Sequence, residues 1–172
     1  DDDLGEGAHQ SVITHSAASL DGDYSGISVS SITATVTDND AVGVMVDPTS
    51  LSVDEAGTTA VYSITLLSEP TATVTITVTT DGETTVNPTN LVFTTGDWDT
   101  AQVVTVTAVD DGVVEGAHNS TISHMAISVD ANYSGLVISD VIASISDNDT
   151  SGVNLNPVTV SVNEIGSVVD TY

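Results

Sequence analysis

The chain has 172 residues, of which 25 are Asp or Glu and none is Lys or Arg, so its formal net charge is −25 with His neutral. Nothing in it can neutralise phosphate, which excludes nucleic acid and anionic membrane surfaces as partners, and its self-repulsion disfavours compaction unless cations bind. It has no Cys and hence no disulfides, and no apolar run approaches the roughly 18 residues that a membrane span needs.

An apolar fraction of 40%, carried by Val, Ile, Ala and Leu amid much Thr and Ser, predicts an all-β chain with enough material for a core. The opening D-D-D-L-G-E-G-A-H at 1–9 returns as V-D-D-G-V-V-E-G-A-H at 109–118, which sets His9 and His118 109 residues apart. The same spacing relates His15 to His124, Asp21 to Asp130, Tyr24-Ser25-Gly26 to Tyr133-Ser134-Gly135, and Asp38-Asn39-Asp40 to Asp147-Asn148-Asp149. It also relates Gly43-Val44 to Gly152-Val153, Pro48 to Pro157 and Glu55 to Glu164. A fixed period sustained in this way predicts tandem modules. Residues 1–40 are expected to be the end of a preceding repeat, 43–149 a complete repeat, and 152–172 the opening strands of a following one. Completion within a longer chain is favoured over completion by neighbouring copies in a filament.

Within 43–149, residues 44–46 and 51–53 flank Pro48 and read as one broken edge strand. Alternation of apolar residues with Thr and Ser predicts strands at 62–66 and 74–78, with further strands at 91–93, 102–109, 118–128 and 137–146. Turn residues separate them: Ser68-Glu69-Pro70, Asp81-Gly82, Asn87-Pro88, Gly96-Asp97, Asp111-Gly112 and 132–135. Trp98 is expected to cap one end of the core. Seven strands without helical periodicity predict a β-sandwich.

Acids gather where these strands end. Asp110, Asp111 and Glu115 follow one apolar run, Asp147 and Asp149 follow another, Glu55 follows the first strand, and Asp81 lies in a loop. Carboxylates converging from four separate segments, with no Lys or Arg to meet them, call for divalent cations, and Ca²⁺ is the hard, oxygen-seeking ion that suits them. An isolated Asp-Gly such as Asp81-Gly82 is better explained by an Asx turn. The adjoining fragments offer Asp1, Asp2, Glu6, Asp38 and Asp40 before the repeat and Glu164 after it.

The ordered set V-D-E-A-G (53–57), T-T-D-G-E (79–83), F-T-T-G-D-W (93–98), V-D-D-G-V-V-E-G-A-H (109–118) and closing D-N-D (147–149) resembles Calx-beta domains, especially the tandem variety of large bacterial surface and extracellular proteins. The resemblance covers 43–149 and both flanks, and it rests on the order and spacing of the motifs together. It implies a seven-stranded, immunoglobulin-like antiparallel sandwich that binds Ca²⁺ in loops at one end. Carried over by position, the ligands fall on Glu55, Asp81, Asp110, Asp111, Glu115, Asp147 and Asp149. Asn148 stands where the exchanger-type domains of the family carry Asp, which keeps an oxygen donor and removes a charge.

Other chemistry finds little footing. His118 and His124 share a face of one strand but stand about 20 Å apart, too far to hold one metal ion, so each reads as a strand histidine. There is no G-x-S-x-G elbow and no Gly-rich phosphate loop, and carboxylates repeated in every module are better explained as ligands than as a glycosidase pair, so the chain is not expected to be an enzyme. Asn119, Asn132 and Asn148 each open a short N-glycosylation pattern. The expected function is structural: a Ca²⁺-stabilised module of a long extracellular or surface-displayed tandem-repeat protein, serving as stalk, adhesin shaft or filament subunit. Its expected partners are adjacent repeats or neighbouring copies. The alternatives are a module binding a carbohydrate or cell-surface ligand, and a Ca²⁺ sensor that shares the sites and differs in affinity.

Overall fold

The computed structural model describes residues 2–156 and 159. Asp1, Pro157, Glu164 and most of 152–172 lie outside the described residues. Eleven strands and no helix make up the described chain. They are β1 (His9–Ile13), β2 (Ile32–Val36), β3 (Val44–Asp47), β4 (Ser50–Asp54), β5 (Thr59–Leu66), β6 (Val74–Thr80), β7 (Thr84–Asn87), β8 (Asn90–Phe93), β9 (Gln102–Ala108), β10 (His118–Ser128) and β11 (Val141–Ser146). Strands β3 to β11 form two sheets, one of five strands in the order β4-β11-β10-β6-β8 and one of four in the order β3-β5-β9-β7.

Alternation decides which face is inside. Tyr62, Ile64 and Leu66 of β5, Val74, Ile76 and Val78 of β6, and Val104 and Val106 of β9 are all buried, while the Thr and Ser between them face outward. With Leu91, Phe93, Val141, Ala143 and Ile145 they make one core, drawn wholly from residues 46–145. Trp98 packs against that core, and its carbonyl accepts the Leu66 amide at 3.2 Å.

Nine strands build this sandwich, where seven were expected. The stretch around Pro48 is two strands on opposite sheets: β3 pairs with β5, and β4 runs parallel to β11. Both are edge strands, where Pro withdraws no ladder bond. The unforeseen β7 is four residues long and pairs with β9. β11 begins at Val141 instead of 137, because the ladder with β10 stops at the pair Ile122↔Val141. Two residues further on, the Nδ1 of His124 bonds the Ser139 carbonyl at 2.9 Å, so a side chain takes up the acceptor that the ladder would have used.

The other ring nitrogen of His124 accepts the Tyr62 hydroxyl at 2.9 Å, and the two rings meet edge-on. His124 is thus held neutral against the core, and burial pushes its pKa below the ordinary value, outweighing the Ser139 bond that raises it. With the folded pKa below the unfolded one, stability is level above about pH 6.5 and falls as pH drops below that value, until the folded pKa is passed. Urea midpoints at pH 7.5 and pH 5 should therefore differ more for the native chain than for His124→Gln.

β1 and β2 form a separate antiparallel hairpin that duplicates β10 and β11. His9↔Val36 corresponds to His118↔Ile145, and Ile13↔Ile32 to Ile122↔Val141, each residue displaced by 109. The likeness extends to side chains, since Nδ1 of His15 bonds the Ser30 carbonyl at 3.1 Å as His124 does Ser139.

Candidate metal centre

One end of the sandwich collects the acids, and strand direction explains why. β4 and β11 are parallel neighbours with Asp54 opposite Ser146, so the residues that follow them, Glu55 and Asp147, emerge side by side. β9 ends at the same end and releases Asp110 and Asp111, while antiparallel β10 starts there with His118.

Asp147 shapes the site from within. Its Oδ2 accepts the amides of Glu115 and Gly116 at 2.7 and 2.6 Å, and its Oδ1 accepts the Asp149 amide at 2.7 Å. The first two bonds fold the 109–117 loop back over the end of β11, with Gly116 at φ 70° making the turn. All three hold the Asp147 carboxyl below the usual range. Asp111 closes its own turn by accepting the Gly112 and Val113 amides at 2.6 and 2.7 Å.

The remaining acids converge. Carboxylate oxygens of Glu55, Asp110 and Asp149 lie within 4.8 Å of one another, and so do ligand atoms of Glu55, Glu115 and His118. Glu55, shared by the two groups, is only 4% exposed. Desolvation raises its pKa, the weak 3.4 Å bond from the Asn148 amide opposes the rise, and the charges of Asp147, Asp149 and Asp111 add to it. Asp149 is raised likewise, by desolvation and then by Asp147, Asp110 and Asp111. Among the described residues its Oδ2 is buried without a hydrogen-bond partner.

Asp81 stands apart from both groups. Its oxygens are taken by the Ser120 hydroxyl at 2.7 Å and the Thr121 amide at 2.6 Å; burial raises its pKa, but these bonds outweigh it and leave the value lowered. Ser120 is itself buried and shares a 2.8 Å bond with Thr84, so Asp81 anchors β10 to the start of β7.

His118, read from the sequence as a strand histidine, instead has a ring nitrogen among the carboxylates, and Glu83 joins it there. Nε2 of His118 lies 3.5 Å from Glu115 and 3.6 Å from Glu83, while its Nδ1 bonds the Gly116 carbonyl at 2.9 Å. That bond, then Glu115 and Glu83, raises the imidazole pKa against the opposing effect of burial. The short spacing Glu115-x-x-His118 was the available signal, and it repeats as Glu6-x-x-His9.

The preceding fragment rebuilds half of this arrangement. Asp38 accepts the Gly7 amide at 2.6 Å and the Asp40 amide at 2.9 Å, and Gly7 has φ 71°. As with Asp147 and Asp149, the pKa of Asp38 is lowered by its amide bonds and that of Asp40 is raised by desolvation and neighbouring acids. Asp2, Glu6, His9, Asp38 and Asp40 line one cleft. Asp1 and Glu164 lie outside the described residues.

Around Glu55 the donor set is carboxylate oxygen with a single imidazole at its margin. The buried Asp149 oxygen without a partner and the absence of Lys and Arg leave a cation as the group that these residues fit. Carboxylate oxygens are donors for hard divalent cations.

No protein-family profile matches the chain, and no curated protein matches it in sequence. Among solved structures, it is similar to SSP-19, an MSP-domain-like protein of Caenorhabditis elegans, over 59% of this chain and 97% of that one, at 11% identity and TM-score 0.44. It is similar to the periplasmic chaperone SfaE over 62% of this chain and 58% of that one, at 10% identity and TM-score 0.49. A third similarity is to the ASH/PapD-like domain of human CEP192, over 73% and 99% of the two chains, at 11% identity and TM-score 0.48.

Proposed function

We propose that the chain is a segment of a Ca²⁺-stabilised structural protein, built from Calx-beta-like, immunoglobulin-type modules in tandem and working as an extracellular shaft or filament element. The observation that carries this reading is the group Glu55, Asp110 and Asp149, three carboxylates from three separate segments held within 4.8 Å of one another. Ca²⁺ there would be held by Glu55, Asp110 and Asp149, with Glu115 and Asp111 beside them, and it would supply the positive charge that the chain lacks. Asp147 is a positioning residue, because its oxygens already hold the loop amides.

The mechanical consequence follows from spacing. Asp40 and Val44, which opens β3, are separated by Ala41, Val42 and Gly43 alone, and Asp149 is followed by Thr150, Ser151 and Gly152 before Val153. A linker this short, rooted in the acid cluster, leaves neighbouring modules little freedom once cations fix the cluster. The duplicated register of β1–β2 and β10–β11 supports the tandem reading.

Small-angle scattering of the 172-residue chain in Ca²⁺ and in EDTA tests the proposal. A narrower distribution of dimensions in Ca²⁺, absent in Asp38→Asn/Asp40→Asn, is expected. Identical profiles would contradict the mechanical role and leave the exposed loops as ligand-binding surfaces. A titration midpoint near micromolar, against the roughly 10⁻⁴–10⁻³ M of extracellular modules, would make the module a sensor.

A further inference from the structure

The first repeat does more than precede the complete module; its acidic loop is seated on it. Leu4 bridges to Glu69 in parallel, the Glu69 amide donates to the Asp3 carbonyl at 2.7 Å, and Asn132 Nδ2 donates to the Gly5 carbonyl at 3.0 Å. The receiving corner is rigid, because Ser68 is fully buried and held by the Tyr133 hydroxyl, which donates to the Ser68 carbonyl at 2.6 Å. Gly5 lies so close to this corner that a Cβ on it would stand 2.5 Å from a γ-methyl of Val42 and 3.3 Å from the Ser68 hydroxyl.

One period later, the same loop is exposed among the described residues. Val113 and Val114, the counterparts of Leu4 and Gly5, are 56% and 52% exposed, an apolar pair inside an acidic loop. The backbone carbonyls that would serve at this second junction are those of Gly112 and Val114, so the side chains there are free to differ. They differ reciprocally. Gly5 packs against Val42, and the residues one period later at these two positions are Val114 and Ser151. The bulk lost from the linker reappears on the loop, which conserves the volume between them.

We propose that Val113–Val114 is a docking strand for a following module of this same kind, which lays the equivalent of its Ser68–Glu69 corner along it and its Asn132 equivalent on the Val114 carbonyl. The contact is backbone pairing closed over by a size-matched side-chain pair, and it adds to the restraint that cations at the acids place on the linker. Docked in this way, each module joins the next through a fixed edge and not through the linker alone.

The size reciprocity is testable in the chain as it stands. Gly5→Val should open the first junction and speed hydrogen exchange at the Glu69 amide by about tenfold or more. Gly5→Val/Val42→Ser, which recreates the second junction, should return that amide to its native protection. A double variant that exchanges as fast as the single one would show that a Val-and-Ser junction cannot form, and would overturn the proposal. Docking itself is read in a tandem chain, residues 1–151 followed by a second copy of 43–149, a unit whose core is self-contained. The chain has no native Cys to interfere. Val113→Cys with Glu69→Cys in the second copy should form a disulfide as fully as the control pair Leu4→Cys with Glu69→Cys in the first copy. A control that closes while the Val113 pair stays reduced would equally overturn it.

Discussion

In about 10 mM Ca²⁺ the chain is expected to melt roughly 10–20 °C higher than in EDTA. The figure follows from a site of Kd about 10⁻⁴ M, typical of extracellular modules, saturated about 100-fold, which stabilises the folded state by about 2.7 kcal/mol. A sandwich of this size shifts by about 4–8 °C per kcal/mol. Mg²⁺ at the same concentration should give a small fraction of the rise. Asp110→Asn/Asp149→Asn should abolish most of it, because both carboxylates lie beside Glu55. Asp81→Asn is the informative contrast: it should lower the melting temperature in EDTA, through the loss of the Ser120 and Thr121 bonds, and leave the Ca²⁺ increment in place. An Asp81→Asn chain that lost the increment would place Asp81 among the ligands after all.

Tyr133 should be the other position of large effect. Its ring is 1% exposed, and its hydroxyl donates to the Ser68 carbonyl while receiving the Ser68 amide at 3.3 Å and sharing a 2.9 Å bond with the Ser68 hydroxyl. Three polar groups of one buried residue thus depend on one phenol. Tyr133→Phe leaves them without that partner and should cost about 1–3 kcal/mol. Tyr133→Ala adds the loss of the ring and should cost about 3–5 kcal/mol. Urea unfolding in EDTA separates the two, and a Phe variant within about 0.5 kcal/mol of the native chain would show that the Ser68 corner finds other partners. Because that corner also receives Leu4 and Asp3, the Phe variant should loosen the first junction as well.

Much of the site was legible in the sequence because its members follow apolar runs directly. Asp110 comes two residues after β9, Asp147 one residue after β11 and Glu55 one residue after β4, so strand alternation alone puts them at strand ends. That these ends coincide depends on the parallel pairing of β4 with β11, which required the stretch around Pro48 to change sheets. A broken strand is visible in sequence; the sheet that each half joins is not. Glu83 was hidden for a different reason. Glu83 meets His118 only through the fold, across strands, which no local pattern encodes, whereas the i,i+3 spacing of Glu115 and His118 was there to be read. Asp81 could be read two ways, as a strand-end acid or as the Asx turn of an Asp-Gly pair, and its Oδ1 accepts the Glu83 amide at 3.3 Å. It ends a strand like the others, but Ser120 and Thr121 on the neighbouring β10 already occupy its oxygens. The 109-residue period was plain, and it recurs in the cross-strand register and in the histidine side-chain bonds.

The most direct measurement of the central claim is a calorimetric Ca²⁺ titration of the native chain beside Asp110→Asn/Asp149→Asn. Saturable binding with Kd in the range of about 10⁻⁴–10⁻³ M, lost or weakened at least tenfold in the variant, is the predicted result. Binding that the variant retains in full, or no saturable heat from the native chain, would contradict it and return the converging acids to the role of turn and surface residues.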